Sequence, residues 1–221
     1  MSIKRLIFDV DGTLICGVNF EKSVRQTLIK VDAYSEENVK NFINAIGPYN
    51  DQYDNYNVKD YTAHMGDAIG TPLPDNFVQI FFDELKTCIP PNSQSLINKI
   101  TELARKYELT ILTNYFSLSQ RNRLNNMGIG DFFLEYYGER KLKPHKEAFI
   151  EACGPHKPSQ CVMIGDDYLL DILGARKAGL NTIFVNSKGV NVTKQMGTVV
   201  NSVEEITDSI IQKSAENDLE I

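Results

Sequence analysis

The sequence predicts an α/β chain, a doubly wound parallel sheet interrupted after its first strand by a helical insertion. Three observations predict it. The chain opens with a short apolar run, Leu6-Ile7-Phe8, that ends abruptly in Asp9-Val10-Asp11-Gly12-Thr13. Residues 17–88 carry helical patterns and few strand-like runs. From about residue 92 onward, short apolar runs alternate with helix-like segments, as in a parallel sheet covered by helices on both faces. These observations place a Rossmann-like core in residues 1–16 and 89–221 and an α-helical cap in residues 17–88.

The elements follow in order. Residues 6–8 read as a buried strand. Strand side chains alternate, so Asp9 and Asp11 leave it facing the same way. Gly12 permits a sharp turn out of the sheet. Helices are expected near 20–31, 35–46, 57–69 and 74–87, the second opening at Ser35 followed by Glu36 and Glu37. Breaks are expected at Gly47-Pro48, across 71–74 and at Pro90-Pro91. Phe77, Ile80, Phe81 and Leu85 share a helical face and belong to a core. Tyr49, Tyr53 and Tyr56 also have helical spacing and are expected to pack the cap. Further strands are expected at 109–112, 132–137, 162–164 and 182–185, with helices around 93–106, 117–127, 145–153 and 168–178. The polar, acidic end, 214–221, is expected to fray.

Composition narrows the function classes. The chain has 221 residues and a formal net charge of −6, which speaks against a phosphate-backbone partner such as nucleic acid. No apolar stretch approaches the length of a membrane span, and the N-terminus enters a strand without a signal-peptide pattern, so a cytoplasmic protein is expected. Cys16, Cys88, Cys153 and Cys161 form no Cys-x-x-Cys pair, and packing roles in a reduced compartment are expected for them. His64, His145 and His156 have no partner pattern and read as exposed or structural.

Four segments carry chemistry, each at the end of a strand-like run. They are Asp9-Val10-Asp11-Gly12-Thr13; Thr113-Asn114; Lys143-Pro144; and Asp166-Asp167, with Asp171 one helical turn later. In a doubly wound sheet the carboxyl ends of the strands meet at one edge, so these groups would converge. Carboxylates held close together repel unless a cation neutralises them. A hard divalent ion such as Mg²⁺, which takes one or two carboxylates plus substrate phosphate, is the expected partner.

In this order and combination the motifs resemble the haloacid dehalogenase superfamily, the aspartate-nucleophile phosphohydrolases. The matching motifs span residues 7 to about 186, apart from the insertion. Gly165-Asp166-Asp167-Tyr168, Asp171-Ile172-Leu173-Gly174-Ala175 and Ala178-Gly179-Leu180 are similar to the phosphoglycolate phosphatase and nucleotidase-like branches. The resemblance implies a Mg²⁺-dependent hydrolase of small phosphomonoesters that works through an aspartyl phosphate. It assigns Asp9 as nucleophile, Asp11 as general acid and base, and Thr113 and Lys143 as further catalytic groups. Asn114 and Gly12 would contact the phosphoryl group through the backbone. Asp9, the carbonyl of Asp11, and Asp166 would hold the metal, with Asp167 and Asp171 orienting its surroundings. Asp11 favours phosphoryl over carbon–halogen chemistry, because a halide leaving group needs no proton. Two alternatives stay open: a phosphomutase of the β-phosphoglucomutase kind on the same intermediate, and a non-catalytic binding protein of this fold. The implied partner is a small phosphorylated metabolite, with neither nucleic acid nor membrane. Asn19, Phe20 and Lys22 stand just past the first loop and are expected within reach of the substrate. The ester and the oligomeric state are left open.

Overall fold

The computed structural model of the protein describes residues 2–91 and 94–217. Its centre is strand β1 (Arg5–Phe8), whose four residues are all buried. β1 lies between β2 (Glu108–Leu112) and β4 (Cys161–Gly165), and β3 (Phe133–Tyr137), β5 (Asn181–Val185) and β6 (Thr198–Val200) extend the sheet. All pairings are parallel, in the order β3-β2-β1-β4-β5-β6. Parallel strands buried on both faces need unbroken apolar runs, and Leu6-Ile7-Phe8, Cys161-Val162-Met163-Ile164 and Thr182-Ile183-Phe184-Val185 supply them.

Helices cover both faces. α5 (Gln94–Ala104), α6 (Ser117–Asn126) and α9 (Asp208–Asn217) lie with one hydrophobic cluster, built on Leu6, Phe8, Ile111 and Ile164. α7 (Lys146–Ala152) and α8 (Gly174–Lys177) lie with the other, built on Ile7, Leu112, Cys161 and Met163. Successive β1 residues alternate between the two clusters, as the two-residue strand period requires.

Between β1 and α5 come α1 (Glu21–Lys30), α2 (Glu36–Gln52), α3 (Val58–Ile69) and α4 (Phe77–Leu85). They share a third hydrophobic cluster, centred on Val24, Leu28, Phe42, Tyr49, Tyr61, Met65, Phe77 and Phe81. Ser35 caps α2 by accepting from the Asn38 amide at 3.0 Å, and Asn57 caps α3 by accepting from the Asp60 amide at 2.8 Å. Phe116 and Leu142, from the loops after β2 and β3, join the same cluster and seat the insertion over the sheet's carboxyl edge.

The structure departs from sequence expectation in four places. α2 does not break at Gly47-Pro48 but runs on to Gln52. Pro48 lies on the exposed side, while Tyr49 is fully buried and packs on Tyr53, Tyr56 and Tyr61, so the packing of one turn outweighs one missing backbone bond. β6 is an additional strand, only three residues long. The helix expected at 168–178 is a π-helical turn (Tyr168–Leu173) followed by the short α8. The expected fraying at 214 does not occur, since α9 continues to Asn217 with Ser214 buried, and 218–221 lie outside the described residues.

Candidate active site

The register of the sheet brings the functional side chains together. Phe8 pairs with Ile111 on one side and Ile164 on the other, so Asp9, Thr113 and Asp166 all emerge just past the same edge. The Asp9 amide donates to Ile164 O at 2.9 Å and the Thr113 amide to Tyr137 O at 2.9 Å, which carries the sheet pattern to the site itself. The chain then turns sharply, with Val10 O accepting from the amides of Thr13, Leu14 and Ile15. Gly12 sits in this turn at φ +92°, where a Cβ would fall 2.5 Å from Asp166 Cγ and 2.6 Å from its Oδ1. Its lack of a side chain is what lets the β1 and β4 loops approach this closely.

Lys143 is the centre of charge. Its ammonium, 3% exposed, donates to Asp9 Oδ1 at 2.6 Å and to Asp171 Oδ1 at 2.7 Å. Asn114 locks the lysine's backbone in place, donating from Nδ2 to Lys143 O at 2.8 Å and accepting the Lys143 amide on Oδ1 at 2.7 Å. Asp171 spends its second oxygen on the Asp167 amide at 3.0 Å. Asp167 in turn caps the π-helical turn by accepting from the Leu169 and Leu170 amides, both at 2.9 Å, which aims Asp171 back at the lysine. Gly165 makes room for this, because a Cβ there would meet Asp171 Cβ at 2.6 Å.

Asp9, Asp166 and Asp171 offer carboxylate oxygens within 4.8 Å of one another, all three buried. Burial raises the Asp9 carboxyl to about 7, with Asp171 and Asp166 adding to the rise and Lys143 opposing it. Asp171 is raised for the same leading reason. Burial alone would lower Lys143, but Asp171 and Asp9 more than reverse this and hold it protonated. Two ammoniums, Lys143 and Lys188, thus face three carboxylates, an electrostatic deficit that a divalent cation would fill. Asp166 Oδ1 accepts from Thr13 Oγ1 at 3.3 Å. Its Oδ2 is buried without a hydrogen bond, although the Lys188 ammonium lies 2.7 Å away as an ion pair. This hard-oxygen donor set fits Mg²⁺.

Asp11 stands apart. Its carboxylate is 54% exposed and turned toward α6, accepting from Arg123 Nη1 at 2.7 Å and Gln120 Nε2 at 2.6 Å. Arg123 also donates from Nε and Nη2 to Cys88 O, at 3.2 and 2.9 Å. α6 is fixed at its N-terminus by Glu139, whose Oε1 accepts from the Ser117 amide and hydroxyl at 2.6 and 2.8 Å. Arg123 and Gln120 were not singled out in the sequence, and neither was Lys188. The signal for the first two is their i,i+3 spacing on the helix that follows Thr113. Thr113 itself is buried, with Gln120 Nε2 3.4 Å from its hydroxyl.

Other sequence expectations find their places. The Gly12 amide donates to Ile15 O at 2.9 Å, and its carbonyl accepts from Ser187 Oγ at 2.7 Å. Phe20 lines the cleft, whereas Asn19 accepts from the Glu21 amide at 2.9 Å and starts α1. The four cysteines are free thiols, three of them buried. His64 bonds Ala45 O and His156 bonds Glu108, each at 2.9 Å. Among the described residues no helix is long and apolar enough to cross a membrane.

The family model for haloacid dehalogenase-like hydrolases matches residues 3–179. The chain is 29% identical to a glyceraldehyde 3-phosphate phosphatase of Methanothermobacter thermautotrophicus, over 84% of this chain and 87% of that one. It is 37% identical to the pyrimidine 5′-nucleotidase YjjG of Escherichia coli, over 45% of this chain and 46% of that one. Among solved structures, the HAD-hydrolase YfnB of Bacillus subtilis superposes with a TM-score of 0.68 at 20% identity, covering 93% of this chain and 97% of that one. With the motif residues gathered at one sheet edge and the family model spanning most of its length, the chain belongs to the haloacid dehalogenase-like hydrolases.

Proposed function

We propose that this protein is a Mg²⁺-dependent phosphohydrolase of small phosphomonoesters that forms an aspartyl phosphate on Asp9. The observation that carries the reading is the split between the two acids of the first loop. Asp9 is buried on Lys143 beside Asp166, and Asp11 is held separately on α6. Relatives named as a glyceraldehyde 3-phosphate phosphatase and a nucleotidase support it.

The residues divide the work as follows. A carboxylate oxygen of Asp9 attacks phosphorus in line, and the bond from phosphorus to the ester oxygen breaks. Asp11 gives that departing oxygen a proton. Water then attacks the phosphoryl group, Asp11 takes its proton, and the phosphorus–Asp9 bond breaks to restore the carboxylate and release phosphate. Lys143 offsets charge on Asp9 and on the transferring group, and Thr113 donates to a phosphoryl oxygen. Asn114 acts by fixing Lys143. Asp171 accepts from Lys143 on one oxygen and from the Asp167 amide on the other, and so aims the lysine at Asp9. Asp9, Asp166 and the Asp11 carbonyl would hold Mg²⁺, which supplies neutralisation of the clustered negative charge.

The test is phosphate release from a panel of phosphomonoesters, with Mg²⁺ or with chelator, for the native protein and Asp9→Asn. Release by the native protein alone, and only with the ion, is the expected result. Full activity in Asp9→Asn would sink the mechanism. A lasting acyl phosphate without phosphate release would point instead to a mutase.

A further inference from the structure

Above the charged edge, the cleft opens into a cavity of about 490 Å³ roofed by the helical insertion. The wall that the insertion supplies is Phe20, Ile46, Tyr56, Tyr61, Phe81 and Leu85. Val18 and Asn50 are the further insertion side chains there, and Asn50 Oδ1 accepts from Tyr56 Oη at 2.6 Å, leaving its amide nitrogen as a donor. Among the described residues, this wall carries no charged side chain. The buried hydroxyls of Tyr61 and Tyr115 lie near one another, yet neither completes a hydrogen bond of ordinary geometry.

The floor is different. Five of its lining residues are carboxylates and three are cations. Each cation is already engaged: Arg123 with Asp11 at 2.7 Å, Lys143 with Asp9 and Asp171 at 2.6 and 2.7 Å, and Lys188 with Asp166 at 2.7 Å. A second negative group on a bound ester would meet aromatic and aliphatic walls above, and the three cations below are already paired. Burying a carboxylate without a partner is strongly unfavourable, whereas a neutral apolar body gains from leaving water.

From this, and resting on the phosphohydrolase reading, we infer that the cavity selects phosphomonoesters of neutral, mainly apolar or aromatic alcohols and rejects esters whose alcohol carries a carboxylate. The Asn50 amide nitrogen gives such an alcohol a hydrogen-bonding contact. The aromatic rings give it flat surfaces to lie against.

The experiment uses a set of esters matched for size or charge: ethyl phosphate, benzyl phosphate and 2-phosphoglycolate. Turnover is measured on the full-length native protein with Mg²⁺, and binding is measured by calorimetry on Asp9→Asn. The expected order is benzyl above ethyl, with phosphoglycolate below ethyl by about 100-fold in kcat/KM and in affinity. Ile46→Lys places a cation in the wall and should narrow the gap between ethyl phosphate and phosphoglycolate by about tenfold or more. Phosphoglycolate bound as tightly as ethyl phosphate, or an Ile46→Lys protein that binds with the native ratio, would overturn the inference. If no ester is turned over but binding keeps the expected order, the phosphohydrolase reading fails and the selectivity stands.

Discussion

Lys143→Met removes the single ammonium that faces Asp9 and Asp171 at 2.6 and 2.7 Å while keeping an unbranched chain of similar length. The lysine is 3% exposed, so water cannot take its place as a screen. Breaking a buried ion pair by removing one partner costs about 3–5 kcal/mol, because the remaining charge is left uncompensated. For a chain of this size each kcal/mol moves the melting temperature by about 2–4 °C, so the loss should fall at about 6–20 °C in chelator. The double variant Asp9→Asn/Lys143→Met separates charge from packing. With Asp9 neutral, Asp171 is the one carboxylate left of the pair that Lys143 held, and the lysine deletion should cost less than half as much in this background. Differential scanning calorimetry of the native protein, both single variants and the double variant reads this directly. A loss under about 2 °C, or strict additivity of the two substitutions, would refute the charge-balance account of the site.

Other perturbations follow from the same geometry. Gly12→Ala forces an L side chain to φ +92° and places its Cβ 2.5 Å from Asp166 Cγ. It should destabilise the protein by about 1–2 kcal/mol from the backbone alone, and Mg²⁺ titrations followed by thermal shift should need more ion to saturate. Lys188→Met frees Asp166 Oδ2 from a competing ammonium at 2.7 Å and should move the same titration to lower Mg²⁺, with an unchanged midpoint counting against it. Ser35→Ala removes the α2 cap and should cost about 1 kcal/mol, visible as a drop of about 2–4 °C in the melting temperature. Glu108 is held below its ordinary 4.5 by hydrogen bonds first from Arg5 and then from His156. Its contribution is present above 4.5 and is lost as pH falls through the depressed value, so Glu108→Gln should flatten the acid limb of stability against pH.

Much of the site could be read before any coordinates, because parallel strands bring their carboxyl ends to one edge whatever the details. Asp9, Lys143, Asp166 and Asp171 each follow an apolar run, and a single topological rule predicts their meeting. The parts that escaped depend on side-chain direction. Gln120 and Arg123 sit on a helix so polar that no hydrophobic stripe marks its buried face, and only the fold shows them turned to Asp11. Lys188 comes from an exposed loop after β5, where reach decides function and periodicity says nothing. Asn114 reads in the motif as a phosphate contact through its backbone, and the structure adds a tether from its side chain to the lysine loop that the motif does not express. α2 passes through Pro48 because a buried tyrosine beyond it outweighs a local breaker, a tertiary effect that local propensity cannot express.

The placement of β1 has a consequence for how the molecule comes into being. It precedes the other five strands of its sheet in chain order, yet it lies in the middle of the finished sheet. Arg5 finds its β2 partner, Glu108, 103 residues later, and its β4 partner only at Cys161. At about 5–20 residues per second on the ribosome, β1 waits about 5–20 s for its first neighbour and longer for its second. The four insertion helices emerge in that interval with a hydrophobic cluster largely their own. They are therefore free to assemble as a local unit while the strand that leads into Asp9 remains unpaired. Nascent chains stalled when residue 85 has just cleared the ribosome should already protect the insertion from protease while leaving residues 5–8 open to it. The charged edge forms only once β4 reaches β1 and delivers Asp166 beside Asp9.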